Sequence, residues 1–241
     1  MKEIPHVLRL VRHAFFPSRC CVCGRVIKPE SEICEYCTKY IMRVPEDKFC
    51  TGCGRPLKHC LCIPEPFLTS TVAPFLYEEP VRKQIQHFKF ENCPHLAVPY
   101  GKIAAKYAED CGITADADMI TFIPMTDRAV KIRTYNQAQK FAEVLADILQ
   151  LPCERTLIKQ CETPGQHTLP AILRHGNLTG VYELPEDKEE LIKDKVILLA
   201  DDITTTGSTL HEAAKTLLIF GAKEVRGITI ARAPANKQAI Q

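Results

Sequence analysis

No apolar run in the 241 residues approaches the roughly 18 that a membrane span needs. The N-terminus also lacks the basic, apolar and small-residue sequence of a cleavable secretion signal. These two absences lead to the expectation of a cytoplasmic protein that has no integral membrane span and meets the inner face of the membrane only through partners. Low-complexity tracts are missing, and the only internal repetition is a set of cysteine pairs. Charge of one sign is missing too, since the formal net charge of +2 steers neither toward nucleic acid nor toward a membrane surface. What is present, 46% hydrophobic and 25% charged residues, is ordinary globular composition, enough for one domain of about 170 residues and a small module.

Thirteen cysteines are the strongest compositional signal. Eight of them form Cys20-x2-Cys23, Cys34-x2-Cys37, Cys50-x2-Cys53 and Cys60-x-Cys62. In a reducing compartment such pairs read as zinc thiolates and not as disulfides. Two turns complete a tetrahedral four-sulfur shell, so four pairs imply two structural zinc ions with no open position for catalysis. Pairing of neighbours puts Cys20, Cys23, Cys34 and Cys37 in one site and Cys50, Cys53, Cys60 and Cys62 in the other; interleaved pairing is the rival. Gly24 and Gly54 suit the tight turns of a zinc ribbon, and His59 is a weaker candidate ligand. Residues 1–63 carry 11 Lys and Arg against 6 Asp and Glu, but eight thiolates and two zinc ions bring that module down to about +1.

Along the chain, "IPHVLRLVRHAFFP" has a helical period that is expected to pack on the rest of the protein. The proline-bearing "IPEPFLTS" at 63–70 separates a unit at 1–63 from one at 71–241. The second unit alternates: strand "TVAPFLY", helix 94–109, buried strand "MITFIP", helix 136–150, then strand 195–200, helix 209–220 and strand 225–231. Short apolar strands between amphipathic helices define an α/β fold with a mainly parallel sheet covered on both faces. Such sheets bind ligands at the carboxyl ends of their strands.

"VILLADDITTTGSTLHEAAKTLL" (196–218) places Asp201 and Asp202 at such an end, with a hydroxyl-rich turn running into a helix. The helix N-terminus offers free amides and positive dipole to a phosphate. Thr205, Thr206, Ser208 and Thr209 add hydroxyl donors, and Gly207 lets backbone approach the oxygens. Two acids beside a bare polyphosphate would repel it. They fit if they accept hydrogen bonds from ribose hydroxyls or hold Mg²⁺ through water, so ribose 5-phosphate satisfies both halves.

The same stretch resembles the PRPP-binding signature of type I phosphoribosyltransferases. "FIPMTDRAVKIRTYNQAQKFAEVLA", "TPGQHTLPAILRHGNLTGVY" and "VRKQIQHFKF" are similar to blocks of the ComF/GntX-like family, in which a double zinc ribbon precedes such a domain with its small hood. Met125 replaces a proline of that pattern and Thr134 a glycine. The resemblance implies that Asp201 and Asp202 face the ribose hydroxyls and the Mg²⁺ shell, and that Thr204, Thr205, Thr206, Gly207, Ser208 and Thr209 face the 5-phosphate. It implies that the Pro124–Met125–Thr126 turn presents amides to pyrophosphate, with Arg128, Lys131 and Arg133 on a closing basic loop. Lys89 is either a ligand contact or surface charge, and Gln166, Arg174 and Asn177 are read as folding the hood. The implied ligands are PRPP with Mg²⁺, and the implied role is phosphoribosyl transfer to an unnamed acceptor in support of DNA uptake or nucleotide-linked metabolism. The alternatives are an accessory protein that handles single-stranded DNA or docks to DNA-uptake proteins, and a PRPP-sensing regulator.

Overall fold

The computed structural model describes residues 17–42, 67–159 and 181–234. The segment at 4–15, the second cysteine set Cys50, Cys53, Cys60 and Cys62, and the hood residues Gln166, Arg174 and Asn177 lie outside them.

Seven strands are present among the described residues: β1 (Ser70–Val72), β2 (Phe75–Leu76), β3 (Met119–Phe122), β4 (Ile158–Lys159), β5 (Tyr182–Glu183), β6 (Val196–Thr204) and β7 (Glu224–Arg232). Six helices join them: α1 (Val81–Phe90), α2 (Ala97–Asp110), α3 (Asp127–Arg133), α4 (Gln137–Leu149), α5 (Glu189–Ile192) and α6 (Ser208–Ile219). The main sheet is parallel in the order β1-β7-β6-β3, with β2 also on β7, while β4 and β5 form a separate antiparallel pair.

The apolar run of β6 explains its central place. Val196 to Ala200 are all buried, and because successive side chains point to opposite faces, both faces of the sheet must be covered. Helix α6 supplies cover through Leu210, Ala213, Ala214 and Leu217, which share one helical stripe. Helix α4 begins where the Asn136 side chain accepts from the amides of Ala138 and Gln139, and it buries Phe141, Ala142 and Leu145. It packs on α2 at Gly101, where a Cβ would stand 2.4 Å from Val144 Cγ1.

Three local expectations change. The single strand at 71–77 is two, broken at Ala73–Pro74, because Pro74 has no N–H for a ladder. The strand of 195–200 continues to Thr204, because pairing with β7 runs on through Asp201↔Thr229 and Thr204↔Arg232. The basic segment after Thr126 is not a loop but the helix α3, whose Thr126 hydroxyl accepts from the Ala129 amide.

The described part of the cysteine-rich segment packs into the same core. Cys20, Cys21, Val22 and Cys37 are buried with Phe75, Ile85, Phe88 and Tyr100. The Tyr100 hydroxyl donates to the Cys21 carbonyl at 2.9 Å, and Lys102 pairs with Glu32 at 2.6 Å. Ile41 makes an antiparallel bridge to Phe75, and the Met42 amide donates to the Pro74 carbonyl at 2.7 Å, which occupies the outer side of β2.

Candidate functional site

Cys20, Cys23, Cys34 and Cys37 come together, with all four sulfurs within 4.8 Å of one another. Cys23 and Cys34 are 3.8 Å apart, which is the span of two zinc–sulfur bonds of about 2.3 Å at the tetrahedral angle. The Val22 and Cys34 amides both point at the Cys20 sulfur at 3.4 Å, and Gly24 holds the turn at φ +73°. Burial would raise Cys34, yet hydrogen bonds from Cys37 and Cys23 bring it down to about 7, while burial and the neighbouring Cys34 push Cys37 up. A bound cation would favour all four thiolates together, and a closed four-sulfur shell suits a structural zinc ion. Neighbouring pairs make this cluster, as the shorter-loop pairing expects. Cys21 is buried beside it and pushed up by burial, outside the ligand set.

At the carboxyl ends of β3 and β6 lies a cleft of about 230 Å³. Eight residues singled out from the sequence line it: Lys89, Pro124, Met125, Thr126, Arg133, Asp201, Asp202 and Thr209. The strand ends bring the acids there, α1 delivers Lys89, and the β3–α3 turn delivers Pro124 to Thr126. The Lys89 ammonium is 2.9 Å from Asp202 Oδ1, with both side chains largely buried. The Asp202 amide donates to Asp201 Oδ1 at 2.8 Å. Desolvation, then the charge of Asp202, push the Asp201 carboxyl up to about 8, against the Asp202 amide and the charges of Lys89 and Lys159. An opposing cation or a hydrogen-bond donor beside it would favour its ionised form.

The rest of the hydroxyl turn borders the cleft without lining it. Gly207 caps α6 at φ +84°, a left-handed conformation that glycine adopts without strain, and Thr205, Thr206 and Ser208 are exposed around it. Thr206 and Ser208 hydroxyls are 3.0 Å apart and free to turn toward an anion. Thr204 is different: it is buried, and its hydroxyl has no hydrogen-bond partner among the described residues. Arg128 and Lys131 are exposed on α3, outside the cleft lining, whereas Arg133 at the end of that helix lines it.

Three polar lining residues are not among those expected from the sequence: Asn136, Gln137 and Lys159. Asn136 donates to the Ile123 carbonyl at 3.0 Å and caps α4, so it fixes the β3–α3 turn against the next helix. Gln137 donates to the Lys89 carbonyl at 3.3 Å. An asparagine directly before an apolar helical stripe is a capping signal and was there to be read. Lys159 arrives on the β4–β5 pair, two-residue strands too short to carry a sequence pattern.

An acid pair and a helix N-terminus gathered at the strand ends of a parallel sheet, with basic side chains across the gap, define a phosphoribosyltransferase-type domain. Residues 136–241 match the phosphoribosyl transferase domain family and residues 11–65 the double zinc ribbon domain family. Competence protein F of Haemophilus influenzae is 31% identical over 230 residues, covering 91% of this chain and 99% of that protein. The DNA utilization protein YhgH of Escherichia coli is 27% identical over 212 residues, covering 86% of this chain and 87% of that protein. Competence protein ComFC of Bacillus subtilis is 23% identical over 226 residues, again with 86% and 87% covered. The chain belongs to the ComF family. Among the described residues no helix is long and apolar enough to cross a membrane.

Proposed function

We propose that the cleft binds PRPP with Mg²⁺ and that the protein is a phosphoribosyltransferase acting in support of DNA uptake or utilization. The observation that supports this best is the convergence in one cleft of Asp201, Asp202, Lys89, Arg133 and the α6 N-terminus. Asp201 and Asp202 accept the ribose hydroxyls. The turn from Thr205 to Thr209 takes the 5-phosphate through amides and hydroxyls. Mg²⁺, when bound, neutralises charge on the pyrophosphate. The Pro124–Thr126 turn and Arg133 hold the pyrophosphate, while Arg128 and Lys131 on the exposed face of α3 add positive charge that stabilises it as a leaving group. Breaking its bond to C1 leaves an oxocarbenium-like centre, and the acceptor lone pair closes the new bond. The relatives' names, competence and DNA utilization, are what support the DNA-linked role. A thiolate cluster of this kind belongs to a reducing compartment, which supports action in the cytoplasm; action at the inner face of the membrane through protein partners belongs to the same proposal.

Calorimetry of the purified protein with PRPP, with and without Mg²⁺, tests the binding. Saturable, Mg²⁺-dependent binding is expected; no binding of either PRPP or ribose 5-phosphate at millimolar concentration would remove the ligand from the site. Pyrophosphate release with candidate acceptors then separates a transferase from a sensor.

A further inference from the structure

Lys89 reaches the cleft from a fixed piece of backbone. The last carbonyls of a helix have no partner within it, and side chains from the α3–α4 junction take two of those of α1. The Tyr135 hydroxyl donates to the Phe88 carbonyl, and Gln137 donates to the Lys89 carbonyl. The lysine stem itself is flexible and ends in a compact charge with three donors, so the ammonium can move while the backbone stays. In the free protein that ammonium lies 2.9 Å from Asp202 Oδ1, and the two side chains are only 16% and 13% exposed.

Two carboxylates at one strand end are the hard oxygen donors that Mg²⁺ takes, so Asp201 and Asp202 fit such an ion. For a free ion to reach Asp202, however, Lys89 would have to leave it, and a largely buried ammonium stripped of its counter-charge is costly. PRPP removes that obstacle, because its pyrophosphate offers the ammonium charge-assisted hydrogen bonds within the same cleft. We propose that Lys89 is the internal counter-cation of the acid pair: it keeps free divalent ions off Asp202 in the unliganded protein, and its ammonium passes to the pyrophosphate when PRPP binds. The second half rests on the reading of the cleft as a PRPP site; the first half stands without it. Lys89 is thus a positioning residue that couples the two ligands, so that metal and PRPP strengthen each other's binding by the same factor.

Mn²⁺ serves as the probe, since it takes the same oxygen ligands as Mg²⁺ and its free form is counted by electron paramagnetic resonance. Zinc-loaded protein is used, so that the thiolates are occupied. The unsubstituted protein should bind Mn²⁺ only when PRPP is present. Lys89→Met keeps the bulk of the side chain and removes its charge. It should bind Mn²⁺ without PRPP at least about tenfold more tightly than the unsubstituted protein, because the acid pair has lost its counter-cation. By calorimetry in Mg²⁺ it should bind PRPP about ten- to a hundredfold more weakly, as one lost charge-assisted contact predicts. A merely structural role for Lys89 would weaken both. Adding Asp202→Asn to Lys89→Met should abolish the new Mn²⁺ site, and Lys89→Arg should keep Mn²⁺ out. Mn²⁺ that binds the unsubstituted protein without PRPP, and no longer binds Asp202→Asn, overturns the proposal without any lysine variant. So does a Lys89→Met protein, folded by its thermal melt, that gains no Mn²⁺ or binds PRPP as before. If the unsubstituted protein binds no PRPP by calorimetry, the PRPP reading and the transfer to pyrophosphate both fall, and the Mn²⁺ titration of Lys89→Met alone decides whether Lys89 guards the acid pair.

Discussion

Asp202→Asn probes the site most directly, because it removes one charge and almost no volume. The Lys89 ammonium is 2.9 Å from Asp202 Oδ1, a gross attraction of about 6 kcal/mol at an effective dielectric of 20. Little of that is expected to appear as lost stability. Asparagine keeps an oxygen for Lys89 to donate to, and removal of the repulsion that helps to raise Asp201 lets that carboxyl ionise, so that the buried Lys89 keeps a counter-charge that it would otherwise lose at a high cost. The net change should stay within about 1 kcal/mol, or a shift in Tm of no more than about 4 °C. Ligand binding should respond far more. A charge-assisted hydrogen bond to a ribose hydroxyl contributes about 1.5–3 kcal/mol, so Kd for PRPP in Mg²⁺ should rise roughly ten- to a hundredfold. Titration calorimetry gives Kd, and a thermal melt of the same sample reports the fold. An unchanged Kd beside an unchanged Tm would show that Asp202 does not face the ligand and only anchors Lys89.

Proton release gives a second measure of the acid pair. Free Asp201 is raised to about 8, so at pH 6.5 it is protonated, and a ligand that requires the carboxylate must expel that proton. Calorimetry in two buffers of different ionisation enthalpy should show a proton released, with affinity rising as pH approaches 8; equal heats in both buffers would contradict it. The unliganded fold should lose stability over the same window, because the native state holds a proton there that the unfolded chain does not. Gly101→Ala forces a methyl to within 2.4 Å of Val144 Cγ1, so about 1–3 kcal/mol of overpacking should exceed the roughly 1 kcal/mol gained in helix propensity. Val144→Ala should restore the melting temperature of Gly101→Ala; a stable single variant would show that α2 and α4 separate freely. Elemental analysis should find close to two zinc ions per chain, falling by one in Cys20→Ser with Cys23→Ser, and that variant should melt at least about 5 °C lower. Zinc near one in the unsubstituted protein would mean that a cysteine pair is not a ligand.

Features with a fixed spacing were legible before any coordinates. The interval between Cys20 and Cys37 specified a four-sulfur shell because a metal dictates how two turns must meet. The order apolar run, two acids, hydroxyls, glycine specified a strand end facing a helix because each residue type answers a backbone demand. Where tertiary contacts decide, the pattern failed. Nothing local shows that pairing with β7 carries β6 on to Thr204, leaving Thr204 buried among residues expected at the phosphate. The segment 127–133 was read for its charge, and the helix signal of Thr126 followed by Asp127 was passed over. Thr134 replaces a glycine of the family pattern, and the chain there still takes φ +69°. Threonine is strained in that left-handed conformation, which glycine would adopt freely.

The bridge between Ile41 and Phe75 has a meaning beyond the docking of one segment on another. Strand β2 is the rim of the main sheet, and an uncovered rim of unpaired amides and carbonyls invites other chains to add on. Here the stretch that follows Cys37 sits over that rim, held in place by a cluster that needs a metal. Loss of zinc from that cluster is therefore expected to loosen the cover on β2, which light scattering of metal-stripped protein checks. Metal-stripped protein is expected to associate edge to edge through β2, an association that returned zinc reverses.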